Sequence, residues 1–291
     1  MNDSTTPTLK QEVERWIELN KADGVSQASI ARATGYAAGV ISQVVAAKYA
    51  GDAASVERKI RQYIANYGAK AKTPEIWIDT KQTRAAAVAV TNAIAENRMC
   101  ALFGDSGAGK TSFIRRYLAD RPNNVYLEIV RGQGTRDVLR EICAGLKIQP
   151  KRSNYQTFCE ICAHIGDRVI VIDQAEFLRS DTMEMIRGIN DRSGAAVILI
   201  GIHSLLNVLS EHEHFRRRIK WKWQFQPLND DEIGALCEAY GVSRSFAQTI
   251  AKLAQRNFRS TTYLLENAVK IANGEPITED LLIDAKQMLF I

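Results

Sequence analysis

Between residues 75 and 226 four short apolar runs alternate with amphipathic stretches. The runs are "MCALFG" (99–104), "NVYLEIV" (124–130), "RVIVID" (168–173) and "AAVILIG" (195–201). Each has strand length, and helical spacing separates each from the next, which predicts a mostly parallel sheet with both faces covered. "IKWKWQF" (219–225) differs, because Ile219, Trp221, Trp223 and Phe225 alternate with polar residues. That period of two predicts a half-exposed edge strand. From Pro227 to the end the pattern is helical again, without strand signals.

The first 70 residues carry a purely helical pattern. Val13, Trp16 and Ile17 share a face; Ile30 and Ala31 lie inward behind a Ser26 cap; Gly35 marks a turn. Val40, Ile41, Val44 and Val45 follow at helical spacing, and a fourth amphipathic segment runs from an Asp52 cap to Gly68. "AKAKTPE" (69–75) is small, basic and interrupted by Pro74, which puts a boundary near residue 73. The expected domains are therefore 1–73, 74–226 and 227–291. Residues 26–45 have helix-turn-helix spacing, with small Ala31 in the first helix and Gly35 at the turn. Three-helix folds that do not touch DNA share that spacing.

Composition adds little. The chain of 291 residues is 46% hydrophobic and 24% charged, with a net charge of +5. These values suit a globular protein with a polyanionic partner but do not select one. No leader pattern and no apolar run of about 18 residues is present, so a cytoplasmic protein with no membrane partner is expected. Five cysteines without a leader read as reduced thiols. Cys159 and Cys162 form a lone C-x-x-C, read as small apolar residues on a helix rather than a metal site.

The chemistry concentrates in "LFGDSGAGKTSF". It matches G-x-x-x-x-G-K-[ST] at Gly104, Gly109, Lys110 and Thr111, after a predicted strand and before a predicted helix. Glycines let the backbone N–H groups of Asp105, Ser106, Gly107, Ala108 and Ser112 curl around phosphate oxygens. Lys110 adds a point charge on the β/γ-phosphates of ATP, and the Thr111 hydroxyl takes a place on Mg²⁺. Asp173, closing a buried strand, is the second expected Mg²⁺-holding group, the alternative being an N-cap for the helix behind it. Gln174 follows where a nucleotide hydrolase of this kind usually has Glu. Glu176 is the nearest carboxylate that could stand in.

The helix-turn-helix pattern with its exit "KYAGD" (48–52), "WIDT" (77–80), the P-loop "GDSGAGKT", and "VIDQAEFL" followed by "ILIGIHSL" together resemble the Mu B-like AAA+ transposition activators. The resemblance covers nearly the whole chain. It implies an α/β fold: an N-terminal λ-repressor-like helical domain, a P-loop AAA+ core and a C-terminal helical lid. It also implies ATP-dependent helical self-assembly on double-stranded DNA with little sequence preference, and delivery of that DNA to a DDE-type transposase. Position by position, Lys110 and Thr111 match the Walker A pair and Asp173 the Walker B aspartate. Gln174 replaces the family's glutamate, and Ile202 its polar sensor-1 residue. Arg218, with Arg217 second, matches a trans-acting arginine finger, the alternative being a basic surface. Arg259 matches a sensor-2 arginine, the alternative being a helix-surface charge.

By the same resemblance, loops after the second and third core strands line a DNA channel. The candidates are Arg131, Thr135, Arg136, Lys151 and Arg152, with Gln43 on the second helix of the helix-turn-helix pattern. Slow hydrolysis is the expectation, since Gln cannot accept a proton at neutral pH. The competing functional reading is a sequence-specific transcriptional regulator whose ATPase module senses nucleotide.

Overall fold

The computed structural model describes residues 8–19, 26–69, 77–121 and 124–289. It contains two compact units, Met1–Ile76 and Trp77–Ile291. The boundary expected near residue 73 lies outside the described residues.

The first unit holds α1 (Leu9–Leu19), α2 (Gln27–Thr34), α3 (Ala38–Val45) and α4 (Ala53–Ala69). Their apolar faces meet in one core containing Val13, Ile30, Ile41, Val56 and Ile60. The ends of α2 are set locally. The Ser29 N–H donates to Ser26 Oγ at 3.3 Å and the Ser26 N–H to Ser29 Oγ at 3.0 Å, a reciprocal cap. Gly35, at φ +77°, closes the helix in the left-handed region. Asp52 Oδ1 accepts the Ser55 N–H at 3.1 Å and starts α4. Gln43 is exposed on α3, flanked by the buried Val44 and Val45.

The second unit is built on α5 (Lys81–Ala95), β1 (Met99–Gly104), α6 (Lys110–Leu118), β2 (Asn124–Glu128), α7 (Thr135–Leu146), α8 (Asn154–His164), β3 (Val169–Asp173), α9 (Ser180–Ser193), β4 (Val197–Gly201), α10 (Ser204–Glu211), α11 (Glu213–Arg216) and β5 (Ile219–Phe225). The five strands form one sheet in the order β2-β3-β4-β1-β5, with every pair parallel. Both faces are covered, which is why the inner strands read as unbroken apolar runs. Alternate residues divide between the two layers: Met99, Ile170, Ile172 and Leu199 pack toward α7, α8 and α9, and Cys100, Leu102, Val171 and Ile200 toward α5 and α6. β5 is an edge strand, with Trp221 and Trp223 against the sheet and Lys220, Lys222 and Gln224 exposed.

The chain finishes in α12 (Asp230–Ala239), α13 (Ala247–Leu253), α14 (Phe258–Ala272) and α15 (Glu279–Gln287). These close around their own core of Ile233, Leu236, Ile250, Leu264, Leu265 and Leu282. Among the described residues no helix is long and apolar enough to cross a membrane.

Candidate nucleotide site at the carboxyl edge of the sheet

β1 ends at Gly104 and α6 begins at Lys110, so the loop 105–109 turns the chain from a strand end into a helix N-terminus. Gly107 and Gly109 take φ of +77° and +90°, which glycine adopts at little cost. A cavity of about 680 Å³ opens beside this loop and is lined by the loop, Asp173, Gln174, Glu176, Ile202 and Arg259. In an open parallel sheet, the carboxyl ends of the strands are where ligands bind.

Lys110 is buried, and its ammonium donates to the carbonyls of Gly104 (2.9 Å) and Asp105 (2.6 Å). Burial holds its pKa below the ordinary lysine value, opposed by the nearby carboxylates of Asp173, Glu176 and Asp105. Thr111 donates its hydroxyl to Asp173 Oδ2 at 2.7 Å, and Tyr126 donates to the same oxygen at 2.7 Å. The Gln174 N–H reaches Asp173 Oδ1 at 2.9 Å. Asp173 caps no helix, because the turn Ala175–Phe177 begins behind Gln174 without a side-chain cap.

Thr111 and Asp173 offer adjacent hard oxygen donors to a divalent cation. Among the described residues no group of three or more His, Cys, Asp or Glu side chains is arranged for metal. Mg²⁺ would take one or two protein oxygens here and complete its shell with phosphate and water. Bound there, it would neutralise charge on the phosphates.

The helices after β5 close over the loop. Asn257 Nδ2 donates to the Ser106 carbonyl at 2.7 Å, and the Arg259 N–H donates to the Gly107 carbonyl at 2.9 Å. Arg259 thereby stands in the first turn of α14, at the cavity wall.

Comparison with known proteins agrees with this geometry. Residues 94–209 match the family model described as an AAA domain. The chain is 24% identical over 237 residues to the Mu-like prophage FluMu DNA transposition protein B of Haemophilus influenzae, covering 75% of this chain and 81% of that one. It is 22% identical over 274 residues to the ATP-dependent target DNA activator B of Escherichia phage Mu, covering 88% of each. Among solved structures, Cdc6p from Pyrobaculum aerophilum superposes with a TM-score of 0.60 at 19% identity, over 75% of this chain and 70% of that one. The chain matches the Mu B-like AAA+ proteins.

Two positions expected to depart from the Mu B-like pattern, Gln174 and Ile202, both line the cavity. Gln174 sits in the left-handed region at φ +55° and donates its side-chain amide to Glu128 Oε1 at 2.6 Å. Ile202, at the end of β4, is 38% exposed and lines the cavity with an apolar side chain. Of the residues after it, His203 faces Asp105, Nε2 to Oδ1 at 3.3 Å, and Ser204 starts α10. Glu176 also lines the cavity, but its Oε2 is buried with no hydrogen-bond partner among the described residues.

Arg218 lies at the other end of the sheet. Phe225 pairs with Gly104 at the P-loop and Ile219 with Met99; six residues of strand separate the ends by about 20 Å. Its guanidinium is held by Asp191 of α9, at 3.0 Å from Nε to Oδ1 and 3.2 Å from Nη2 to Oδ2. Arg217 pairs instead with Glu213 at 2.7 Å.

Arg131, Arg136, Lys151 and Arg152 are all exposed. Arg131 stacks over the Phe177 ring at 5.3 Å, and Lys151 stands 3.4 Å from Glu160. Thr135 differs from its expected position on a DNA-facing loop. It is the first residue of α7, is 6% exposed, and shares a 2.9 Å hydrogen bond with Thr182 of α9. Its hydroxyl is committed to joining two helices. Cys159 and Cys162 pack beside the core under α8.

Three residues at the site were not singled out from the sequence: Tyr126, Glu128 and Asn257. The first two sit on β2, in parallel register with β3, so that Glu128 lies opposite Asp173. Tyr126 is half-buried, and burial, reinforced by its bond to Asp173, raises its phenol pKa. Arg115 of α6 stands over its ring at 5.4 Å. The "NVYLE" run ending in a carboxylate was the available signal for Glu128.

Proposed function

We propose that this chain is an ATP-dependent, largely sequence-tolerant double-stranded DNA-binding protein. In this reading it assembles on target DNA as a helical oligomer, delivers that DNA to a DDE-type transposase, and hydrolyses ATP slowly. The observation that carries the ATP dependence is the Thr111–Asp173 hydrogen bond of 2.7 Å beneath the P-loop. It joins the two groups that would hold Mg²⁺, next to the Lys110 ammonium that would meet the β/γ-phosphates. The DNA role is supported by the phage Mu relative, the ATP-dependent target DNA activator B, which is similar over 88% of both chains.

Arg131 on the loop beyond β2, Arg136 in the first turn of α7, and Lys151 and Arg152 on the loop beyond α7 are proposed as phosphate contacts, with Gln43 of the N-terminal unit as a weaker one. Thr135 is left out, because its hydroxyl already has a partner. Arg259 would contact nucleotide in its own subunit. Arg218 is about 20 Å from its own P-loop along β5, so a role on phosphate requires a second copy. Assembly would then raise DNA affinity through multivalency. Slow turnover follows from Gln174 and Ile202, which supply neither a proton acceptor nor a polar contact to the attacking water.

Electron microscopy with random duplex DNA tests the proposal. ATP and Mg²⁺ should give continuously coated DNA, and their omission bare duplex. A discrete footprint on one sequence without ATP would replace this reading with that of a sequence-specific regulator.

A further inference from the structure

Gln174 stands beside a carboxylate of the neighbouring strand. β2 and β3 are adjacent and parallel, and their last residues, Glu128 and Asp173, are paired in register. Both strands therefore end at the same level of the cavity. The backbone turns at Gln174 into the left-handed region, and its amide donates to Glu128 Oε1 at 2.6 Å. Glu128 is exposed, lines the same cavity as Lys110, Thr111 and Asp173, and accepts no other hydrogen bond among the described residues.

We infer that Glu128 is the water-activating carboxylate of this ATPase, with Gln174 as the positioning residue that holds it. The inference rests on the ATPase reading above. In the step concerned, the oxygen of a water attacks the γ-phosphorus and the bond from γ-phosphorus to the β,γ-bridging oxygen breaks. ADP leaves with the electron pair, and the water proton passes to the Glu128 carboxylate, which later releases it to solvent. A Gln side chain cannot accept that proton, but its amide can donate to a carboxylate that does. The base has in effect moved one strand sideways.

Glu176 is the rival, and the geometry disfavours it. A base must touch an exchangeable water; Glu176 Oε2 is buried without a hydrogen-bond partner among the described residues, whereas Glu128 is exposed. A Cβ placed on Gly201 would come within 2.5 Å of that oxygen, so the carboxylate is wedged against the end of β4.

The test is single-turnover hydrolysis of γ-labelled ATP by the full chain with DNA, beside a separate titration of ATP binding. Glu128→Gln should bind ATP as wild type does and hydrolyse it about 10²-fold or more slowly. Glu176→Gln should lose at least about tenfold less rate than Glu128→Gln. The double variant Glu128→Gln with Gln174→Glu returns a carboxylate to residue 174 and should recover most of the lost rate. If wild type itself releases no phosphate, the ATPase reading fails and this inference with it. If wild type turns over and Glu128→Gln does so within threefold, only the assignment of Glu128 is overturned. Should Glu128→Gln fail to bind ATP, the double variant decides: recovered turnover supports the assignment, and an unrecovered rate overturns it.

Discussion

Thr111 and Asp173 lie 62 positions apart in the chain and meet at 2.7 Å, where the first turn of α6 faces the end of β3. The carboxylate also accepts the Tyr126 hydroxyl and the Gln174 N–H. Asp173→Ala would orphan those donors at a cost of about 1–3 kcal/mol in folding stability. It should also remove the Mg²⁺-dependent part of ATP affinity. ATP titrations with and without Mg²⁺ check this, and an unchanged Mg²⁺ dependence would count against the assigned role.

Lys110 makes ATP affinity pH-dependent. Burial lowers its pKa from the ordinary lysine value, so the ammonium is lost at a lower pH than on an exposed lysine. Binding that uses its charge should fall as pH rises through that lowered value. Folding responds in the opposite sense: the cost of burying the charged form is present below the lowered pKa and is relieved as pH rises. An affinity profile flat across the alkaline range would contradict the assignment.

Much of the fold was legible because it follows from local patterns. Strands buried on both faces leave apolar runs such as "VIVID", an edge strand leaves alternation such as "IKWKWQF", and the P-loop keeps Gly104, Gly107 and Gly109 within one short stretch. Register between strands leaves no such trace. Nothing in "NVYLE" says that Glu128 lies opposite Asp173 or that Tyr126 reaches it, since both depend on which strand becomes the neighbour. Asn257 likewise reaches Ser106 across 151 positions. Thr135 was misleading for a related reason. It was expected on a DNA-facing loop, but it begins α7, and α9 supplies Thr182 as a buried partner.

Gly107 tests how the closing helices hold the P-loop. At φ +77° an added Cβ would lie 2.6 Å from Asn257 Oδ1 and 3.0 Å from the Arg259 Cβ. Gly107→Ala must therefore strain the loop and push Asn257 away, at about 1–3 kcal/mol. Lower thermal stability together with weaker ATP binding is expected. Wild-type values for both would mean that the contact is dispensable.

Turnover should be slow. Residue 174 offers the attacking water no proton acceptor of its own, and Ile202 gives it no polar contact. Gln174→Glu should raise steady-state phosphate release in the presence of DNA, unless Ile202 sets the lower limit. Wild-type turnover in the ordinary range of about 1–10 s⁻¹ would refute the slow switch.

The most direct test of ATP-gated DNA binding is a comparison of wild type with Lys110→Ala on random duplex DNA, at matched salt, with and without ATP. Salt must be fixed because phosphate contacts make affinity depend steeply on it. ATP should raise wild-type affinity at least about tenfold through assembly and leave the variant unchanged. Equal coating of DNA by both proteins, or wild-type binding indifferent to ATP, would contradict the account.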